Sequence, residues 1–363
     1  MIDGADGKSE FQEALASDWC DTGDCNSNTG GGRWFGAVGG LVMARNRPNA
    51  YTTTFETNVN QPVLNTQSAG ADWTGGWQVN LGYLFGTGGC GCANSLGPYG
   101  PCGTGGCGFT GPGIGFSYWG LGNMGGFAQA NSPTNELNST FTLLDPSTGS
   151  GQVEIGGQPF STFFDNSASQ RISRDNGTSN YELNLFFGAF NHCRWTVMPF
   201  VGFRYFHYDE RLIFSGLESG STWGANGGQN QAQLSFRTIN NLYGLQLGTY
   251  ANYRISGRCS WYIGPKVGLF GNQMSGRSLL ARGDGLVGFD VNSHKSDFSL
   301  LGEVDTGLTW FVGPRFMTYL GYRVLGVANV ALADNQFVQG IGDVKQSGSL
   351  ILHGVMVGGG WTF

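Results

Sequence analysis

The chain is predicted to be all-β, an antiparallel up-and-down transmembrane β-barrel of about ten strands with short periplasmic turns and long outer loops. Three observations predict it. Apolar residues alternate with polar residues or glycine over stretches of about 10 to 16 residues, longer than the ~5–6 of a soluble strand. Connections in the second half alternate strictly between short and long. The composition carries 64 Gly, 10 Trp, 13 Tyr and 26 Phe in 363 residues, against only 12% charged residues.

That composition also excludes several classes. So many aromatics rule out a disordered Gly/Ser linker, and glycine has no every-third-residue period, which rules out collagen. A net charge of −6 argues against a nucleic-acid partner, which needs a basic face. No run of 18 apolar residues is present, so no transmembrane helix is expected.

The expected strands lie near 33–45, 73–86, 113–122, 178–190, 194–208, 239–255, 259–271, 297–312, 316–328 and 349–363. The second shows Trp77, Val79, Leu81, Tyr83 and Phe85 interleaved with Gln78, Asn80 and Gly82. Tyr181, Leu183, Leu185 and Phe187 form the apolar face of the fourth, and Trp195, Val197, Val201, Phe203 and Tyr205 that of the fifth. Tyr243, Leu245, Leu247, Ala251 and Tyr253 do the same in the sixth. A β-sandwich would bury such a face against a second sheet, whereas a membrane barrel turns it to lipid. The connections decide for the barrel: Asn191-His192-Cys193, Ser256-Gly257-Arg258 and Gly313-Pro314-Arg315 are short, while 209–238, 272–296 and 329–348 are long. An even strand count places both ends of the barrel on the periplasmic side. Pro199 and Pro265 fall inside strands, where bulges are expected to accommodate them. The link 87–112 is too long for a simple turn.

Two regions are expected, an N-terminal periplasmic segment over 1–32 and the outer-membrane barrel over 33–363. The start, MIDGADGKSE, has no signal-peptide pattern, so the chain is either trimmed already or retained inside the cell. The cysteines favour the first. Cys20, Cys25, Cys90, Cys92, Cys102, Cys107, Cys193 and Cys259 are even in number and all fall on the periplasmic side, which suits disulfides. A metal site on Cys90, Cys92, Cys102 and Cys107 is the competing reading, but the spacing is not the usual CxxC pair, and no metal or other cofactor is expected. Trp195, Trp261, Trp310, Phe316, Trp361 and Phe363 cluster at the same end as a lower aromatic girdle. Phe363 ends an amphipathic strand whose outer face also carries Val355, Val357 and Trp361. This ending resembles the C-terminal signal of bacterial outer-membrane barrels, which implies the barrel assembly machinery as a partner beside outer-membrane lipid.

Inward positions hold most of the strand charge. Gly202-Phe203-Arg204, Gly264-Pro265-Lys266 and Gly321-Tyr322-Arg323 repeat one device, in which the glycine and the basic residue share the inner face and the glycine leaves room for the long side chain. Glu182, Glu303 and Asp305 supply acids. Register counted from the short turns pairs Asp305 with Arg323 and Glu182 with Arg204. Inward aromatics (Phe186, Phe200, Phe206, Tyr250, Tyr262, Tyr319) are expected to fill the lumen further. These lumen charge pairs give either a structural plug or a charged constriction for small solutes.

No catalytic constellation emerges, and the expectation is a non-enzyme. His207, Asp209, Glu210, His294 and Asp297 at the outer rim, or His353 with Ser349, would be needed for a rim hydrolase. No GxSxG, Walker A, HExxH or EF-hand motif is present. Asp3, Asp6, Asp18, Asp21 and Asp24 suit a flexible solvated tail better than calcium, and Arg282-Gly283-Asp284 is a tripeptide common by chance.

The segments NNLYGLQLG at 240–248, GPKVGLFGNQM at 264–274, RGDG at 282–285, ALADNQ at 331–336 and LILHG at 350–354, with FETN at 55–58 and VEIGG at 153–157, resemble a family of uncharacterised, porin-like outer-membrane β-barrel proteins, chiefly from planctomycete bacteria. The resemblance spans about 33–363. It implies a barrel in the bacterial outer membrane and carries over no substrate or catalytic residue. The expected role is a structural or surface-exposed barrel of the cell envelope with a narrow or plugged charged lumen. The alternatives are a porin for passive diffusion of small solutes and an outer-rim hydrolase.

Overall fold

The computed structural model describes residues 32–57, 61–70, 73–85, 112–141, 152–192, 194–313, 315–336 and 344–363. Among these, ten antiparallel strands close into a barrel: β1 (Arg33–Arg45), β2 (Thr74–Leu84), β3 (Gly113–Leu121), β4 (Ser169–Phe186), β5 (Trp195–Leu217), β6 (Gln231–Arg254), β7 (Cys259–Arg282), β8 (Val287–Phe311), β9 (Phe316–Val330) and β10 (Gly348–Thr362). Each strand pairs with its sequence neighbours, and β10 pairs with β1 to seal the ring. Closure leaves no free sheet edge, which is what a strand protein in lipid requires.

The strand ends near the short turns lie close to where the alternation places them, and so do the outer ends of β1, β2, β3, β9 and β10, but those of β4 to β8 do not. β5 to β8 run 23, 24, 24 and 25 residues, well beyond the expected 208, 239, 271 and 297. The stretches 209–238 and 272–296 are therefore mostly wall rather than loop; β7 and β8 are separated only by 283–286. The physical reason is a reversal of polarity along each strand. From Trp195 to Tyr205 the outward face of β5 is apolar and Arg204 points inward; above that level Asp209 and Arg211 point outward, while Leu212 and Phe214 are fully buried inside. Period two continues, but the barrel passes from lipid into water and its apolar side moves to the inside.

Neither proline produces a bulge. Pro199 pairs with Thr249 without a register shift. At Pro265 the β6–β7 ladder lapses, from Gly248–Lys266 to Ala251–Ile263, and resumes in the same register. A two-residue gap thus absorbs the missing N–H. The segment between β3 and β4 is partly sheet as well: Gly126–Asn131 continues up the wall against Ser169–Arg174 of β4.

The outer wall is apolar over a belt where Leu245, Leu247, Leu269 and Phe298 are 60–69% exposed. Aromatic rows bound it. At the lower edge Trp195 lies 6.0 Å from Trp261, and Trp361 lies 6.1 Å from Phe363. At the upper edge Tyr118, Tyr181, Tyr205 and Tyr243 are register partners in succession on β3 to β6, with centroids 4.8, 5.8 and 4.8 Å apart. Ten residues separate Trp195 from Tyr205, about 25 Å of height for a strand tilted near 40°, the span of an outer-membrane apolar band. No helix among the described residues is long and apolar enough to cross a membrane.

Of the cysteines, Cys20, Cys25, Cys90, Cys92, Cys102, Cys107 and Cys193 lie outside the described residues, as do 1–31 and the link 86–111. Cys259 opens β7 and is a free thiol among the described residues. No second cysteine is described for it to meet.

Candidate functional site: the charged lumen

Period-two alternation puts Glu182 of β4, Arg204 of β5, Lys266 of β7, Glu303 and Asp305 of β8 and Arg323 of β9 on the inner face, all 0–6% exposed. The register makes Glu182 face Arg204, Lys266 face Glu303, and Asp305 face Arg323. Arg323 donates from Nε and Nη2 to the two oxygens of Asp305 at 2.7 and 3.0 Å. Lys266 Nζ donates to Glu303 Oε1 at 2.7 Å and lies 3.4 Å from Glu182 Oε2.

The network also crosses the lumen. Arg204 Nη1 is 3.6 Å from Glu182 on the next strand, yet its Nη2 bonds Glu303 Oε2 at 2.5 Å, three strands away. Gln246 Nε2 closes the remaining acceptors, donating to Glu182 at 2.9 Å and to Asn184 at 2.8 Å. Three cations therefore balance three anions across the full width of the barrel. Charges buried this deeply persist only when paired and hydrogen-bonded, because the desolvation penalty is several kcal/mol per ion.

The glycines beside the basic residues serve a different purpose from the one their spacing suggests. A Cβ at Gly202 would collide with Asn184, one at Gly264 would press on Tyr250 at 3.0 Å, and one at Gly321 would collide with the Tyr262 hydroxyl. The space is taken by side chains of neighbouring strands, not by the long side chain two residues along. Below the charges, Phe186, Phe200 and Tyr250 form an aromatic floor with centroids 5.2–6.3 Å apart. Above them lies an apolar layer that includes Leu41, Trp119, Phe206, Leu242, Phe270 and Leu325.

A second buried charge cluster sits higher still, and the sequence reading missed it. Glu210 Oε1 accepts from both Arg45 and Arg174, and Arg45 also donates to the Tyr208 hydroxyl at 2.7 Å. Asp334 approaches Arg174 only to 3.9 Å and instead accepts from the Asn49 backbone N–H at 2.8 Å. This cluster anchors the connection after β9. Ala331, Leu332, Ala333 and Asp334 are 0–2% exposed within the mouth. The Ala333 N–H donates to Glu210 Oε2 at 3.0 Å, and Ala331 exchanges bonds with Asn240 at 2.7 and 2.8 Å. Inward parity was the available signal, since Arg45, Arg174 and Glu210 share the inner phase of their strands.

The rim candidates do not converge. Glu210 points into the lumen, while His207 and Asp209 lie on the opposite, outward face. His207 meets Asn241 at 2.9 Å, and Asp209 holds Arg237. His294 is on the outer side of β8, whereas Asp297 accepts from Gln346 on the inner side at 2.5 Å. His353 bonds the Tyr322 hydroxyl at 2.6 Å and packs edge-on to Trp73 rather than engaging Ser349. In Arg282-Gly283-Asp284 the arginine and aspartate pair with each other at 2.6 Å. Asp3, Asp6, Asp18, Asp21 and Asp24 lie outside the described residues, which hold no group of ligating side chains suited to a metal ion.

Residues 110–349 match the model of a family described as "Putative beta barrel porin-7 (BBP7)". Among solved structures, the chain is similar to the outer membrane protease OmpT from Escherichia coli, at 12% identity over 93% of this chain and 100% of that one, with a TM-score of 0.44. It is also similar to a major outer membrane protein from Thermus thermophilus, at 11% identity over 91% and 99% with a TM-score of 0.32. A third is the translocator domain of autotransporter NalP from Neisseria meningitidis, at 10% identity over 99% and 100% with a TM-score of 0.33. A search of curated proteins finds no match. Identity this low transfers no reaction from the protease to this chain.

Proposed function

Because the chain belongs to the beta barrel porin-7 family and is a β-barrel of the bacterial outer membrane, we propose that it acts as a structural, surface-exposed barrel whose lumen is closed to free solute diffusion. The observation that carries this reading is the cross-lumen bond from Arg204 to Glu303, which ties β5 to β8, three strands apart, within a layer of charges that are 0–7% exposed at their side chains. A pore that conducts small ions keeps its lining charges hydrated; here their partners are one another. The inserted segment around Ala333 adds a second stop nearer the surface. In this reading Glu182, Arg204, Lys266, Glu303, Asp305 and Arg323 are structural, and no residue is assigned a catalytic step. Val355, Val357, Trp361 and Phe363 serve as the assembly signal read during insertion.

Liposome swelling tests the reading. Vesicles containing the purified barrel should swell no faster in small sugars or amino acids than empty vesicles. Swelling that scales with protein content and falls with solute size would replace the closed barrel with a diffusion porin, the reading that the family's description favours.

A further inference from the structure

The outward face above the tyrosine row carries an arrangement that membrane anchoring alone does not call for. Arg211 of β5 faces Arg237 of β6, which in turn faces Arg277 of β7. Like charges placed directly opposite one another destabilise a sheet. Two of the three are steadied by carboxylates: Asp209 accepts from Arg237 at 3.0 and 2.5 Å, and Asp290 accepts from Arg277 at 2.8 and 2.6 Å. Arg211 donates to Ser235 Oγ at 3.0 Å and has no ion pair among the described residues. The three line a shallow cavity of about 500 Å³ with Asp175 and Gly177 at its margin, where the glycine leaves open space. The Asp175 carboxylate faces Arg211 in register and is engaged by Asn123 at 2.8 Å. Arg237 and Arg277 remain about half exposed despite their partners, at 49% and 50%.

We propose that this arginine ledge binds a phosphate group carried on the headgroup of an outer-leaflet lipid. A phosphate offers several acceptor oxygens to adjacent guanidinium forks, and arginine forks match that geometry. Asp209 and Asp290 hold two of the forks in place, while the third, Arg211, donates to the neutral Ser235 hydroxyl. Location favours a lipid over a soluble anion. The ledge lies on the same lateral face as the apolar belt, six residues up β5 from Tyr205. Those six residues rise about 15 Å for a tilted strand, the level of a phosphate held out on a sugar ring rather than at the glycerol. The proposal rests on outer-membrane placement and not on whether the lumen conducts.

The test is native mass spectrometry of the full chain released from detergent micelles. Phosphatidylinositol 4-phosphate is the probe, phosphatidylinositol the control, and inositol 4-phosphate the headgroup without acyl chains. Wild type should retain the phosphorylated lipid about tenfold better than phosphatidylinositol, with the soluble inositol 4-phosphate weaker than either. Arg211→Gln and the pair Arg211→Gln/Arg277→Gln should erase that preference while keeping heat-modifiable gel migration, which reports a folded barrel. Arg211→Lys should keep part of it, since charge remains and the fork does not. Equal retention of both lipids, or a preference untouched by the glutamine variants, would overturn the proposal. Inositol 4-phosphate bound as tightly as the phosphorylated lipid would make the ledge a site for soluble anions and overturn the lipid assignment.

Discussion

Asp305 and Arg323 stand directly opposite each other on β8 and β9, joined by two parallel hydrogen bonds of 2.7 and 3.0 Å inside the barrel. Removing one partner strands the other in a low-dielectric interior. Asp305→Ala is therefore expected to cost roughly 3–5 kcal/mol. The double replacement Asp305→Leu with Arg323→Leu leaves two cations facing two anions and is expected to be more stable than the single one. Urea unfolding of the barrel in lipid vesicles, followed by gel migration without boiling, compares them.

Gly321 lies beneath the Tyr262 hydroxyl, and the Thr306 carbonyl oxygen is 2.8 Å from where a Cβ would sit. The ring could swing away but the backbone cannot. Gly321→Ala is expected to destabilise by about 1–3 kcal/mol, and Tyr262→Ala in the same chain should relieve only the side-chain part. Chemical unfolding of the wild type and the two variants gives the comparison.

The upper cluster holds the segment after β9 through one carboxylate, since Glu210 accepts from Arg45, Arg174 and the Ala333 N–H together. Glu210→Gln should loosen that segment while the barrel persists. Trypsin cleavage after Lys345, whose N–H and C=O are both bonded to Gln336, is expected to accelerate several-fold with heat-modifiable migration retained.

Asp334 lies in that same segment, and burial pushes its carboxyl above the ordinary range because the two arginines spend their short contacts on Glu210. The folded state thus binds this proton more tightly than the unfolded one, so its contribution weakens as pH rises through the raised value. Asp334→Asn mimics the protonated form. It should match wild type below pH 4 and be more stable near neutrality, as thermal unfolding at a series of pH values would measure. Wild type more stable than Asp334→Asn at neutral pH would contradict this sign.

How much of this was legible in the sequence depends on where the barrel sits in the membrane. Within the lipid belt, Leu245 and Leu247 outside and Gln246 inside follow one simple rule, and the strands and the pairing of Asp305 with Arg323 follow from it. Above the belt the rule reverses. Arg237 faces water and Phe236 the interior, so an apolar-out pattern ends near Ile239 although β6 begins at Gln231. Read by parity instead of polarity, Glu210 would have joined Arg204 on the inner face rather than His207 at the rim. The cross-lumen bond from Arg204 to Glu303 was out of reach, because register specifies neighbours on adjacent strands and not which side chains meet across a closed barrel. Nothing in the local pattern of 331–336 marks it as a segment that turns inward.

Single-channel recording in planar bilayers tests the closed lumen most directly. Wild type inserted at low protein density should give no stable conductance steps, and neither Asp305→Ala nor Arg323→Ala should reveal a discrete open level, since the aromatic floor and the segment around Ala333 remain in place. Stable open channels from the wild-type protein whose size or selectivity changes with Asp305→Ala or Arg323→Ala would contradict it.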